Sequence, residues 1–107
     1  MNERVDDLGR FTEPAVLVLS SLAEGPKHGY AITLDARATS GIELGPGTLY
    51  GALARLERRH LIEALPSEDR RRPYRLTSAG AAALERHLKV VEKVARTGLK
   101  RLAEASA

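Results

Sequence analysis

At 107 residues, 43% of them hydrophobic, the chain has the length of one small domain and enough apolar content to fold. It has no cysteine, which excludes disulfides, thiolate metal sites and thiol nucleophiles. A net charge of +3 is too mild to name a partner, but the charges are unevenly placed: Asp6, Asp7, Glu13 and Glu24 come early, whereas basic residues cluster at 55–59, 70–75 and 86–101.

Residues 1–11 are polar and aperiodic, and a flexible segment is expected there. They lack the basic-then-apolar pattern of a secretory signal. The longest apolar run, 15–19, is far short of the roughly 20 residues that span a bilayer. A soluble cytoplasmic protein without a membrane partner is therefore expected. With three Tyr, one Phe and no Trp, the core must be aliphatic. A small core gives marginal stability and favours burial of a second apolar face in a dimer.

Thr12 is a candidate N-cap for a first helix, with Glu13 and Pro14 suited to its first turn. The run from Ala15 to Ala23 is apolar nearly all round, so this helix is buried on more than one side, either wholly within the domain or partly against a second subunit. Gly25 and Pro26 end it. A second helix is expected from Lys27 through about Thr39, closed by Ser40 and Gly41. Ile42, Glu43 and Leu44 read as a short extended piece, with a minor strand as one option.

Gly45, Pro46 and Gly47 lead into a third helix that ends near His60. At 100° per residue, Leu49, Ala52, Leu53 and Leu56 share one side. Thr48, Gly51, Arg55, Arg58 and, at the margin, Arg59 share the other. A helix buried on one face, with small and then basic residues on the opposite one, suits a DNA groove. Two short strands, 61–65 and 73–77, follow, joined by a turn ending in Arg70, Arg71 and Arg72; Pro66 and Pro73 keep this hairpin short. A plain loop is the alternative. Thr77 or Ser78 caps a last helix over about 79–104. Leu84, Leu88, Val91, Ala95, Leu99 and Leu102 form its seam, spaced for packing along a partner helix. Its outer face offers the i,i+4 ion pairs Glu85–Lys89 and Glu92–Arg96.

Three helices, a small hairpin and a long helix make up a mainly α winged helix-turn-helix with a two-stranded wing. In that fold the third helix enters the major groove and the hairpin touches flanking DNA. Catalysis is not expected. His28, His60 and His87 are scattered, Asp35, Glu43 and Glu63 do not pair, and the stretch from Gly45 to Thr48 lacks the Lys-Ser/Thr ending of a phosphate-binding loop. No cofactor or metal is called for.

Residues 15–80 resemble the PadR family of transcriptional regulators. The resemblance rests on Leu17-x-Leu19, the stretch Gly25-Pro-Lys-His-Gly-Tyr-Ala-Ile32, Gly45-Pro-Gly-Thr-Leu-Tyr50, Leu53-x-x-Leu56-Glu57, Leu61-Ile62 and Tyr74-Arg-Leu-Thr77-x-x-Gly80. It implies a winged-helix dimer that binds an operator, most often an inverted repeat, and represses a nearby gene, with the first and last helices forming the dimer interface. The single C-terminal helix resembles the family's shorter branch. On this basis residues 12–77 are the DNA-binding domain and 78–107 the dimerisation helix.

The candidate DNA contacts are Lys27, His28 and Tyr30 at the start of the second helix, Thr48, Tyr50, Arg55, Arg58 and Arg59 on the third, and Arg70, Arg71 and Arg72 on the wing. For Tyr50 the alternative is packing on the second helix, and for His28 a local cap. The dimer residues are Val16, Leu19, Leu84, Leu88, Val91, Ala95, Leu99 and Leu102.

Three features depart from the family pattern. His60 stands where glycine is frequent, which implies either a less comfortable backbone conformation or a shifted helix end. Gly51 stands where proline is common. The tryptophans between which some members bind flat aromatic drugs are absent, so that mode is closed; release by a small-molecule effector stays open, with no pocket recognisable in the sequence. The rival function is a winged helix used for protein contact without DNA.

Overall fold

The computed structural model describes residues 13–67 and 71–106. Its elements, in order, are α1 (Pro14–Leu22), β1 (Lys27–His28), α2 (Gly29–Ser40), α3 (Pro46–Arg58), β2 (Ile62–Ala64), β3 (Pro73–Leu76) and α4 (Ser78–Ser106). The mainly α winged-helix expectation holds. The expected flexible segment 1–11, Thr12 and Arg70 lie outside the described residues.

Local chemistry sets the boundaries. Glu13 takes the N-cap position of α1, and Pro14 occupies the first turn, where its missing N–H is no loss. The helix stops at Leu22 with Ala23 as C-cap, so Gly25 comes one residue later than a capping glycine would. Gly41, in the left-handed region, closes α2. At the end of α3 the N–H of His60 donates to the Glu57 carbonyl and that of Leu61 to the Leu56 carbonyl, both at 3.0 Å. This is a Schellman closure, and its left-handed position is filled by His60 at φ 61°. Of the two outcomes expected at this histidine, the less comfortable backbone conformation is the one it adopts.

The sheet differs from expectation. It has three strands in the order β1-β3-β2, antiparallel throughout. Lys27 and His28, expected inside a helix, pair with Tyr74 and Pro73. His28 is extended, at φ −90° and ψ 169°, and serves as the N-cap of α2. Residues 42–44, weighed as a minor strand, form none. Pro73 opens the central strand, where the lack of a donor is tolerated, and its carbonyl accepts from the Leu65 N–H at 2.8 Å.

The core draws on every helix. Val18 and Leu22 of α1, Ile32 and Ala36 of α2, Leu49, Ala52, Leu53 and Leu56 of α3, Ile62 of β2 and Leu84 of α4 are buried together. The α3 stripe is the one that helical spacing predicts. Thr77 joins this body to α4: its Oγ1 donates to the His60 carbonyl at 2.8 Å and accepts the Gly80 N–H at 3.0 Å, so Thr77 rather than Ser78 caps the helix. Gly80 packs so closely there that a Cβ would run into the Leu61 carbonyl oxygen.

Candidate nucleic-acid interface

Helix α3 presents Gly47, Thr48, Tyr50, Arg55, Arg58 and Arg59 to solvent while its leucines hold it in the core. Its start carries no side-chain cap, and Pro46 fills the first turn. The exposed face therefore begins with small residues and uncapped backbone amides and becomes basic over its last turns. The Arg55 guanidinium lies along Gly51, close enough that a Cβ at Gly51 would touch it at 3.5 Å. At the other side of the site Arg71 and Arg72 are exposed just before β3. Arg75, on the same strand, pairs with Glu63 across the ladder at 3.1 Å.

The structure brings most of the sequence candidates to this face and gives Lys27 partners within the chain. The Lys27 ammonium donates to the Ser21 carbonyl at 2.6 Å, to Ser21 Oγ at 3.1 Å, to Glu24 at 2.6 Å and to Asp35 at 3.5 Å. Its side chain is 16% exposed. It ties the end of α1 to α2 and satisfies the buried Ser21, so its charge is already neutralised by two carboxylates. A Lys at the mouth of a helix looks like a phosphate ligand in sequence; only tertiary structure shows the acids around it.

His28 is half-buried, and its Nδ1 is buried without a hydrogen-bond partner among the described residues. Tyr30 is exposed. Tyr50 answers to both descriptions weighed for it. It is 55% exposed, and its hydroxyl also rests against α2, where a Cβ on Gly29 would come within 2.9 Å of it. Glycine at position 29 is what permits that approach.

Sequence reasoning missed Tyr74. Strand alternation was the available signal, since it places Tyr74 opposite Arg75 and toward the helices. Tyr74 packs on the core and, with His28, Tyr30, Tyr50, Arg71 and Arg72, lines a cavity of about 310 Å³. Burial pushes its hydroxyl pKa above the ordinary 10.0, and Glu57 and Tyr50 push the same way, against an opposing pull from Arg72. At neutral pH the hydroxyl is a hydrogen-bond donor.

The expected dimer residues divide. Leu19 and Leu84 are buried in the chain's own core, and Val16 and Val91 are half-buried. Leu88, Ala95, Leu99 and Leu102 are exposed, the last two by 68% each. Val90 and Val94, outside the expected seam, are exposed beside it. Both expected ion pairs form, Glu85–Lys89 at 3.3 Å and Glu92–Arg96 at 3.5 Å. Among the described residues no helix is long and apolar enough to cross a membrane.

Comparison with known proteins agrees with this architecture. Residues 18–86 match the transcriptional regulator PadR-like family. A transcriptional regulator of Mycobacterium tuberculosis is 39% identical over 85 residues, covering 74% of this chain and 76% of that protein. An uncharacterised 37.1 kDa protein of transposon TN4556 from Streptomyces fradiae is 52% identical over 77 residues, 72% of this chain; the match spans only 22% of that longer protein. Among solved structures, a transcriptional regulator from Clostridium thermocellum superposes with a TM-score of 0.71 at 30% identity, covering 88% of this chain and 96% of that one. A PadR family transcription regulator from Clostridium difficile does so with a TM-score of 0.68 at 31% identity, covering 80% and 97%. With a basic helix face beside a small sheet and a family match over most of its length, the chain belongs to the PadR-like family of transcriptional regulators, and is a regulator rather than an enzyme.

Proposed function

We propose that the protein is a homodimeric repressor that reads an inverted-repeat operator, with residues 12–77 meeting DNA and 78–107 holding two copies together. Helix α3 lies in the major groove, and the strands beside it reach the flanking backbone. Thr48, Tyr50 and Arg55 are the side chains placed to meet bases or nearby phosphates, and Arg58, Arg59, Arg71 and Arg72 supply charge. The observation that carries this reading is the separation of two exposed faces. The face of α3 and β3 is small and basic, whereas the face of α4 is apolar and no described residue of its own chain covers it.

That apolar face continues into a groove of about 490 Å³ at the root of α4, lined by Ala23, Leu76, Leu84 and Leu88. A second copy of α4 has matching apolar surface to lay there. For a small-molecule effector that releases the operator, this groove offers an apolar opening.

Selection of duplexes from a random pool by the purified protein tests the proposal. An inverted repeat with half-sites about one helical turn apart is expected. Arg55→Ala should flatten the salt dependence of binding by about 0.9 for each phosphate that the arginine neutralises. Leu99→Lys with Leu102→Lys should give a folded monomer by light scattering that binds the selected operator weakly. An unenriched pool, with no salt-sensitive retention of DNA, would instead favour a winged helix that contacts another protein.

A further inference from the structure

Helix α3 carries the basic face and helix α4 the apolar one, and two strands separate them in sequence. Helix α4 packs chiefly on α1 and β3. A joint built on Thr77 ties it to α3. The turn that closes α3 offers two adjacent carbonyls, of His60 and Leu61, and Thr77 takes both. Its N–H donates to the Leu61 carbonyl at 3.1 Å and its hydroxyl to the His60 carbonyl at 2.8 Å. The same hydroxyl accepts the Gly80 N–H of α4 at 3.0 Å. One half-buried side chain is therefore both the N-cap of α4 and a clasp on the end of α3.

The surroundings of the joint are tight. His60 is held in its left-handed conformation by the closure of α3, so the carbonyl that Thr77 grips has a set direction relative to that helix. Gly80 lies so close to the Leu61 carbonyl oxygen that no side chain fits between α4 and the turn. Leu84, one turn further on, is buried in the same core as Leu53 and Leu56 of α3.

Stiffness here acts through length. Helix α3 has 13 residues, so at 1.5 Å per residue its exposed start lies about 20 Å from the joint. A swing of about 10° at the joint moves that start by about 3.4 Å, the rise of one base pair. A one-base-pair change in spacing also turns two half-sites by about 35° relative to each other, since the duplex repeats every 10–10.5 base pairs.

We propose that Thr77 is a positioning residue for operator choice. By fixing α3 on α4 it makes the dimer select the spacing between half-sites, without itself touching DNA. The proposal rests on the dimeric DNA-binding reading above and adds to it the residue that sets the distance between the two reading helices.

The test binds the full chain to duplexes carrying the two selected half-sites at the selected spacing and at one base pair more or less. For the unaltered protein that change should weaken binding roughly tenfold. Thr77→Asp separates the two roles of the residue: a carboxylate still caps Gly80 but has no proton to donate to His60. Its spacing penalty should fall below about threefold. Thr77→Val, which loses both bonds at nearly constant shape, should relax the penalty as well, and Thr77→Ser, which keeps both, should retain it in full. A merely structural role would weaken binding at every spacing alike and leave the ratio between spacings unchanged. A full penalty in folded, dimeric Thr77→Asp or Thr77→Val would overturn the proposal, as would an unaltered protein indifferent to spacing. Either result, with operator binding intact, leaves the DNA-binding reading standing. An unaltered protein that is monomeric by light scattering, or that binds one half-site as tightly as two, would remove the dimer reading and this inference together.

Discussion

The two halves of the long helix α4 live in different environments. Its first turns belong to the winged-helix body: Gly80 and Leu84 are buried, and Thr77 caps the helix with a hydroxyl that also holds the end of α3. From Glu85 onward the helix runs out of the body. At 1.5 Å per residue its 29 residues are about 43 Å long, in a molecule whose longest extent is 59 Å. Beyond Leu84 none of its described residues is buried, yet it carries Leu88, Val91, Leu99 and Leu102 at a regular spacing. The body is complete by itself; the outer helix has the pattern of a core without the core.

The sharpest way to break this contrast is to make the same truncation on both sides of it. Leu53 is 1% exposed in the body, and Leu53→Ala should cost about 2–5 kcal/mol in urea unfolding. Leu99→Ala removes an equally large side chain from the outer helix. It should leave the unfolding of an isolated monomer nearly unchanged and act only through the concentration dependence of the midpoint, because a dimer is stabilised by mass action. A loss of several kcal/mol for Leu99→Ala that does not depend on protein concentration would mean that α4 is held within one chain.

A smaller effect separates structure from recognition inside the body. Lys27→Met keeps the aliphatic stem and removes the ammonium that joins Ser21, Glu24 and Asp35. It should destabilise the fold by about 1–3 kcal/mol, since buried Ser21 loses its partner. The salt slope of DNA binding should not change. A flattened slope at constant stability would return Lys27 to the DNA face.

How much of this was legible from residues alone follows the range of the forces involved. The α3 stripe and both ion pairs of α4 come from helical periodicity, which neighbouring residues dictate. The third strand was not legible. Lys27 and His28 are extended because β3, more than forty residues later, offers them a ladder, and two residues carry no period of their own. The cavity was hidden for the same reason, since its tyrosines come from three elements. The partners of Lys27 were not legible either, because they are tertiary, whereas the strained conformation of His60 is one of the two outcomes that a non-glycine residue at a helix end allows.

That helix end supplies a gain rather than a loss. His60 holds a left-handed conformation that costs a side-chain-bearing residue about 1–2 kcal/mol. Glycine takes it without strain but loses more entropy on folding. His60→Gly should therefore raise stability by roughly 1 kcal/mol or somewhat less. An unchanged or lower denaturation midpoint would mean that the imidazole makes an interaction worth as much as the strain. The gain should appear in the body alone, with the dimerisation constant unaltered.

The smallest effect expected is a pH dependence confined to the alkaline limb. Burial, reinforced by Glu57 and Tyr50, raises the Tyr74 hydroxyl above its unfolded value near 10.0. The folded chain then holds this proton more tightly than the unfolded chain. The contribution is fully present below pH 10 and is lost as pH rises from there through the folded value. Other tyrosines and the lysines titrate in the same range, so the unaltered protein alone does not isolate it. Tyr74→Phe does, because phenylalanine keeps the ring in the core and removes the proton. The two proteins should differ by a constant amount from about pH 7 to 9, and the difference should move in favour of Tyr74→Phe above about pH 10. Parallel curves across the whole range would mean that the hydroxyl is as well solvated in the folded protein as in the unfolded chain, which would also deprive the cavity of one of its donors.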